Sequence, residues 1–323
     1  MSAYLCTKRG ITAILCAALL YVPAARAADK IVLGFVGGTP AFYWPHEIAQ
    51  AKGMFAAEGL TIDVVYIPSS TNIVLQLTAG SLNMGVPGMV DPIRAIEKGA
   101  PIATVRIEGS VPPHLLFANP KIKEIADLKG KTVMVGGSAD ITRIYAERML
   151  SAHGVQPGQF DMMFAGTSEA RFAGLVSGSA DAAILGSPFD GRAAAAGYTN
   201  LGVAMDYVKD LPFTGYVANR AWANTQGTAV RKFLAAYQKA VDWFYDNKNR
   251  DEAVEILVTR TRSNPADDAK TYDFLRQIEF FERSGKVSLS KLESLVNALR
   301  QLGQIQRSLD PDALVIRGLT PLE

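Results

Sequence analysis

Cysteine is almost missing from this chain. Among 323 residues there are two, Cys6 and Cys16, and both fall within the first sixteen positions. Once that segment is removed, disulfides, thiolate nucleophiles and cysteine metal sites are all excluded. The fold must then be held by its core alone, for which roughly 300 residues suffice. Histidine is scarce too. His46, His114 and His153 are scattered, and none is spaced against a carboxylate in the manner of a metal site, so neither metal nor cofactor is expected. An excess of one charge is also lacking. Lys8, Arg9 and Arg26 lie in an N-terminal stretch without acids, and setting them aside leaves 30 basic residues against 31 acidic. A near-neutral surface carries no footprint for nucleic acid. The motifs of catalysis are missing as well. There is no G-x-S-x-G elbow, and Lys129-Gly-Lys-Thr132 has Ile125 where a phosphate loop needs glycine and precedes its strand instead of following it. Nothing in the residues points to an enzyme.

Long apolar runs are limited to one. Ile11 to Val22, behind the basic pair Lys8-Arg9, is too short for a bilayer, which needs about 20 residues. With Pro23 and the small-x-small site Ala25-Arg26-Ala27 it reads as a signal peptide spanning 1–27, cleaved after Ala27, which places the mature protein in the periplasm. Leu15 before Cys16 argues against a lipobox, where that position is small.

What is present is α/β patterning with 49% apolar and 20% charged residues, values of an ordinary globular chain. Lys30 to Val36 is a buried strand running into Gly37-Gly38-Thr39-Pro40. Residues 45–58 have helical periodicity stopped by Gly59, and Thr61 to Ile67 is a second strand. Ser69-Ser70-Thr71-Asn72 offers capping chemistry for a helix ended by Gly80. Strand and helix alternating so closely predict parallel sheets with right-handed crossovers. The pattern then repeats: Leu77-Thr-Ala-Gly80-Ser81-Leu-Asn83-Met-Gly85-Val86 matches Leu175-Val-Ser-Gly178-Ser179-Ala-Asp181-Ala-Ala183-Ile184. Two α/β lobes built alike are expected: 28–112 with 216–323 as the first, whose returning part is helical, and 113–215 as the second. The chain would cross near 111–116 and again near 211–217. Asn264-Pro265 predicts a cap and first helical residue, and Ser290 with Glu293 a capping box.

Six loops at strand ends converge on the place where α/β sheets take ligands. They supply Gly38, Thr39, Phe42 and Tyr43; Ser69 and Ser70; Gly88 and Met89; Gly137 and Ser138; Gly166 to Ser168; and Pro188 with Phe189. His46, just beyond the first loop, is a further candidate for the cleft, His114 falls in the expected hinge, and His153 suits a helix end. Backbone N–H groups at the start of the helix after Gly136-Gly137, with Ser138 capping or donating, predict an anionic ligand group there, to which Arg143 would add charge if it faced the cleft.

Ala49-Gln-Ala-Lys52-Gly53-Met-Phe55-Ala-Ala-Glu58-Gly59-Leu60 resembles the A-x-x-K-G-x-F-x-x-E-G-L signature of the nitrate/sulfonate/taurine/thiamine-precursor group of ABC-transporter solute-binding proteins. Leu77-x-x-Gly80, Ile125-Ala-Asp-Leu-Lys-Gly130-Lys131-Thr-Val and Gly178-Ser-Ala-Asp181-Ala extend the resemblance over residues 30 to 245. It implies a type II periplasmic binding fold, two α/β lobes joined by two crossover strands, and a monomer that closes on a small-molecule ligand and delivers it to a permease. It also implies ligand contacts at Gly38 to Tyr43, Gly137 to Ala139, and Phe213-Thr214. Ligands in the group include sulfonates, nitrate, pyrimidines and aromatic acids, so a small organic anion is the expectation. Delivery to a sensor kinase is the alternative. Enzymes that share the fold, a thiamine-pyrimidine synthase and porphobilinogen deaminase, depend on cysteines that this chain lacks beyond residue 16.

Overall fold

The computed structural model describes residues 29–37 and 40–323. The expected leader and its cleavage site, and the expected ligand positions Gly38 and Thr39, lie outside the described residues. Among the described residues ten strands form two five-stranded sheets. In the first, β1 (Asp29–Val36) pairs in parallel with β2 (Leu60–Ile67) and β3 (Met84–Val86). The chain continues through β4 (Ile102–Gly109) and crosses to the second sheet at β5 (His114–Ala118). There β6 (Thr132–Val135) pairs in parallel with β7 (Asp161–Phe164) and β8 (Ala182–Gly186), and β9 (Thr199–Val203) forms the edge. Finally β10 (Thr214–Asn219) returns to the first sheet and inserts antiparallel between β3 and β4, as β5 inserts antiparallel between β8 and β9. The orders are β2-β1-β3-β10-β4 and β7-β6-β8-β5-β9. Each sheet is completed by a strand from the other side of a crossover.

The two sheets are built by the same local chemistry. Gly80 and Gly178 end their helices at φ 77° and 75°, a backbone open to glycine at no steric cost. Three residues on, Asn83 accepts a hydrogen bond from Val32 N (2.8 Å) while its own N–H donates to Val32 O (3.0 Å). Asp181 accepts from Thr132 N and donates to Thr132 O, both at 2.9 Å. The inserted strands end alike, with Asn219 N donating to Asn83 O and Asn119 N to Asp181 O. One side chain thus fixes the register of the third strand against the first in each lobe.

Two expected elements differ. The helix expected over 45–58 is split into Trp44–Ala51 and Met54–Ala57, because Gly53 takes φ 65° between them. Asn264 caps Pro265–Gln277 by accepting from Ala266 N and Asp267 N, as its sequence suggests, but the capping box at Ser290 does not form. The helix starts earlier, as Leu289–Gln301, and the hydroxyls of Ser288 and Ser290 hydrogen-bond each other at 3.0 Å.

The largest core packs Phe35, Trp44, Phe55, Phe233, Tyr237 and Phe244 between the first sheet and the C-terminal helices. A second runs from Val90, Ile93 and Ile107 through Leu116, Val133 and Ile184 to Leu292, Leu295 and Leu299, so apolar packing is continuous past the crossovers. Among the described residues no helix is long and apolar enough to cross a membrane.

Candidate functional site

The C-terminal ends of the parallel strands of both sheets face one cleft of about 440 Å³, within the usual range for small-molecule sites. From the side of the first sheet come Phe42, Tyr43, Ser69, Ser70, Gly88, Asp91 and Arg94, with Phe213 and Thr214 where the returning chain enters that sheet as β10; from the side of the second come His114, Ala139, Asp140, Thr142, Thr167, Ser168, Arg171, Ser187 and Phe189. Of the positions expected from sequence, Phe42, Tyr43, Ser69, Ser70, Gly88, Ala139, Phe213 and Thr214 are thereby brought together.

Four others are placed elsewhere. Met89 is fully buried, with its sulfur packed against Gly215, where an added Cβ would come within 2.8 Å of it. Pro188 lines a neighbouring pocket with Arg192 and Asp267. Gly137 and Ser138 stand back from the cleft wall because the helix after them begins later than expected, at Ile141, and is capped by Asp140. That carboxylate accepts from Thr142 N (2.9 Å) and from the Thr142 hydroxyl, so the protein's own anion already occupies the helix N-terminus. Ser138 neither caps the helix nor lines the cleft; its carbonyl accepts from Arg143, whose guanidinium also pairs with Glu147 and does not line the cleft. His46 is likewise not a cleft residue. It is fully buried between Phe35 and Phe55. His153 caps a helix end and meets the Tyr207 hydroxyl at 2.9 Å.

The polar side of the cleft belongs to residues whose spacing gave little sign of it. Arg171 sits in the first turn of Ser168–Val176 and is 3% exposed. Its guanidinium folds back under the loop after β7, donating to Ile184 O (2.6 Å), Ala165 O (3.0 Å), Gly166 O (3.2 Å) and Ser168 Oγ (2.9 Å). Burial lowers its pKa to about 10, leaving it charged at neutral pH, and among the described residues no carboxylate forms an ion pair with it. His114, the first residue of β5, is buried in the wall with its ring edge-on to Phe213 (5.2 Å), and Nδ1 has no hydrogen-bond partner among the described residues. Burial, reinforced by the Arg171 charge, lowers its pKa to about 3, so the ring is neutral. Opposite, Arg94 pairs with Asp91 and spans the cleft to Ala139 O at 2.8 Å. Phe42, Phe213 and Phe280 form a cluster of rings at the apolar end. Among the described residues no group of three His, Cys, Asp or Glu side chains could hold a metal ion. The arrangement suits a small ligand with an apolar body and a polar head.

Two α/β lobes that exchange a strand and enclose a cleft at their strand ends define the periplasmic binding protein fold. It is shared with the crystal structure of the periplasmic aliphatic sulphonate binding protein of Escherichia coli, with a TM-score of 0.74 at 19% identity over 91% of this chain and 94% of that one. The chain belongs to the NMT1/THI5-like family, whose model matches residues 44–250. Among curated relatives it is similar to the formylaminopyrimidine-binding protein of Halalkalibacterium halodurans, 27% identical over 76% of this chain and 73% of that one. It is also similar to a 4-amino-5-hydroxymethyl-2-methylpyrimidine phosphate synthase of Saccharomyces cerevisiae, 23% identical over 67% of each chain.

Proposed function

We propose that this chain is the periplasmic solute-binding component of an ABC importer, capturing a small organic anion between its lobes and passing it to a permease. The observation that carries the reading is the cleft itself, with aromatic rings at one end and, in the second lobe's wall, the buried guanidinium of Arg171, which forms no ion pair among the described residues. Removed from water, such a charge favours an anion far more than an exposed one would. Binding relatives with sulfonates and a pyrimidine as ligands support the class. The yeast synthases favour an enzyme reading, but residues 29–323 contain no cysteine, so chemistry resting on a thiol is closed to this chain. The mature form proposed starts at Ala28 and works as a monomer.

The test is a melting-temperature screen of the exported protein against aliphatic and aromatic sulfonates, carboxylates and pyrimidines, followed by calorimetry and solution scattering on the hits. A ligand should stabilise the native state and reduce the radius of gyration as the lobes close. Binding without contraction would refute closure, and a blank screen would refute the solute-binding reading.

A further inference from the structure

The repeat that builds the two lobes also duplicates a pair of hydroxyls in the cleft. Ser70 opens the helix Ser70–Ala79 after β2, and its Oγ accepts from Gly88 N at 2.9 Å. Ser168 opens Ser168–Val176 after β7, and its Oγ accepts from Gly186 N at 3.1 Å. The sequence separation is 18 residues in both bonds. Each serine is half-buried and each lines the cleft from its own lobe. A hydroxyl has two lone pairs and one proton to give. At Ser168 both lone pairs are engaged, by Gly186 N and by Arg171 Nη2 at 2.9 Å, and its proton has no acceptor among the described residues. At Ser70 the proton is likewise without an acceptor there. Two O–H donors, one per lobe, are left with the cleft as their outlet.

We infer that Ser70 and Ser168 donate from opposite lobes to one oxyanion of the ligand, a carboxylate or sulfonate. This rests on the solute-binding reading above and narrows it to oxyacids. Arg171 acts through Ser168 as a positioning residue: donating to Oγ, it withdraws electron density and makes the hydroxyl a stronger donor, while its buried charge favours the anion. The neighbouring His114 Nδ1, without a hydrogen-bond partner among the described residues and on a residue 6% exposed, offers a further polar contact to whatever carries the acid. The acidic groups of the wall are already engaged. Asp91 is paired with Arg94 and accepts from Thr71, and Asp140 caps its helix, whereas Glu169 is exposed to solvent. Because the acceptor is shared between lobes, the second hydrogen bond forms only when the cleft closes, which ties recognition of the acid to closure.

The experiment is calorimetry on the full mature chain with benzenesulfonate and benzoate, each matched by its neutral analogue, benzenesulfonamide and benzamide. The acids are expected to bind at least tenfold more tightly than the amides. Ser70→Ala and Ser168→Ala should each weaken acid binding by tenfold or more, about 1.4 kcal/mol, while changing amide binding by less than about threefold. Ser70→Thr and Ser168→Thr, which keep the hydroxyl, should restore the acid preference. A purely structural role would weaken acid and amide by the same factor, and that result overturns the inference. So does an amide bound as tightly as its acid, or neither acid bound. In those cases closure on any other solute of the screen would leave the solute-binding reading standing.

Discussion

His46 makes the stability of this protein testable against pH. The residue is fully buried on the helix Trp44–Ala51, with Phe35 edge-on at 4.8 Å and Phe55 at 5.2 Å, and neither ring nitrogen has a hydrogen-bond partner among the described residues. Burial first, and the Arg260 charge second, lower its pKa from 6.5 to about 3. Between those values the unfolded chain binds a proton that the folded protein refuses, so stability falls as pH falls from about 6.5 toward 3. At pH 5 the loss depends only on the unfolded value and amounts to about 2 kcal/mol. His114 contributes with the same sign. Glu108 opposes both: burial raises its pKa from 4.5 to about 8, so between those values it holds a proton in the folded state that the unfolded chain has released, and stability rises as pH falls from about 8 to about 4.5. The wild-type curve therefore mixes opposed terms, and the informative quantity is the difference from His46→Leu, which keeps the volume and removes the titration. Urea unfolding at pH 8 should leave the variant as stable as wild type or more so, since an unpaired buried polar group costs about 1–3 kcal/mol. At pH 5 the difference should have moved a further 2 kcal/mol or so in the variant's favour. A difference that stays constant between pH 8 and pH 5 would show that His46 can protonate in place, and the burial argument would fail.

Arg171→Lys removes the planar fork that reaches three carbonyls and Ser168 Oγ; it should cost about 2 kcal/mol or more in urea unfolding and weaken acid ligands by at least tenfold in calorimetry. Arg94→Ala deletes the hydrogen bond from the first lobe to Ala139 O in the second, so the ligand-free protein should scatter with a larger radius of gyration than wild type. Asn83→Ala and Asp181→Ala each take the acceptor from one strand N–H, of Val32 and Thr132 respectively; equilibrium unfolding should show losses of about 1–3 kcal/mol for each, and a loss at only one would mean the two turns are not equivalent.

The architecture was legible because it is set by local chemistry repeated at a distance. Gly80-Ser-Leu-Asn83 and Gly178-Ser-Ala-Asp181 each carry a left-handed helix stop and a side-chain acceptor, and both can be read without knowing the partner strand. The crossovers were visible for a similar reason, as proline-marked breaks flanking short apolar runs. Half of the cleft followed, since a loop at the end of a parallel strand must face the ligand side whatever else it does. What failed to show was burial decided across the sheet. Arg171, three residues into a helix, has the spacing of a solvated face; its fate is fixed by Ile184 O, thirteen residues on and in another strand. His46 lies beside a ligand loop in sequence, but the helix break at Gly53 brings Phe55 against its ring and turns it into core. His114 looked like a hinge residue, and strand exchange made it a wall of the site instead, because β5 enters the second sheet at that residue.

The choice of helix cap shows the same limit at the shortest range. Ser138 and Asp140 are both good N-caps two residues apart, and propensity does not separate them. Thr142 does: its hydroxyl donates to the Asp140 carboxylate and accepts from Gly136 N at 2.8 Å, locking the loop so that the helix starts at Ile141. An anion site expected on that helix end is thereby filled from within, and the donors that remain for a ligand acid are those without an internal acceptor. In the second lobe Ser168 is such a donor, and the 98-residue offset relating Gly80 to Gly178 and Asn83 to Asp181 maps it onto Ser70 in the first. The repeat that revealed the fold therefore also locates the pair of hydroxyls on which ligand specificity is proposed to turn.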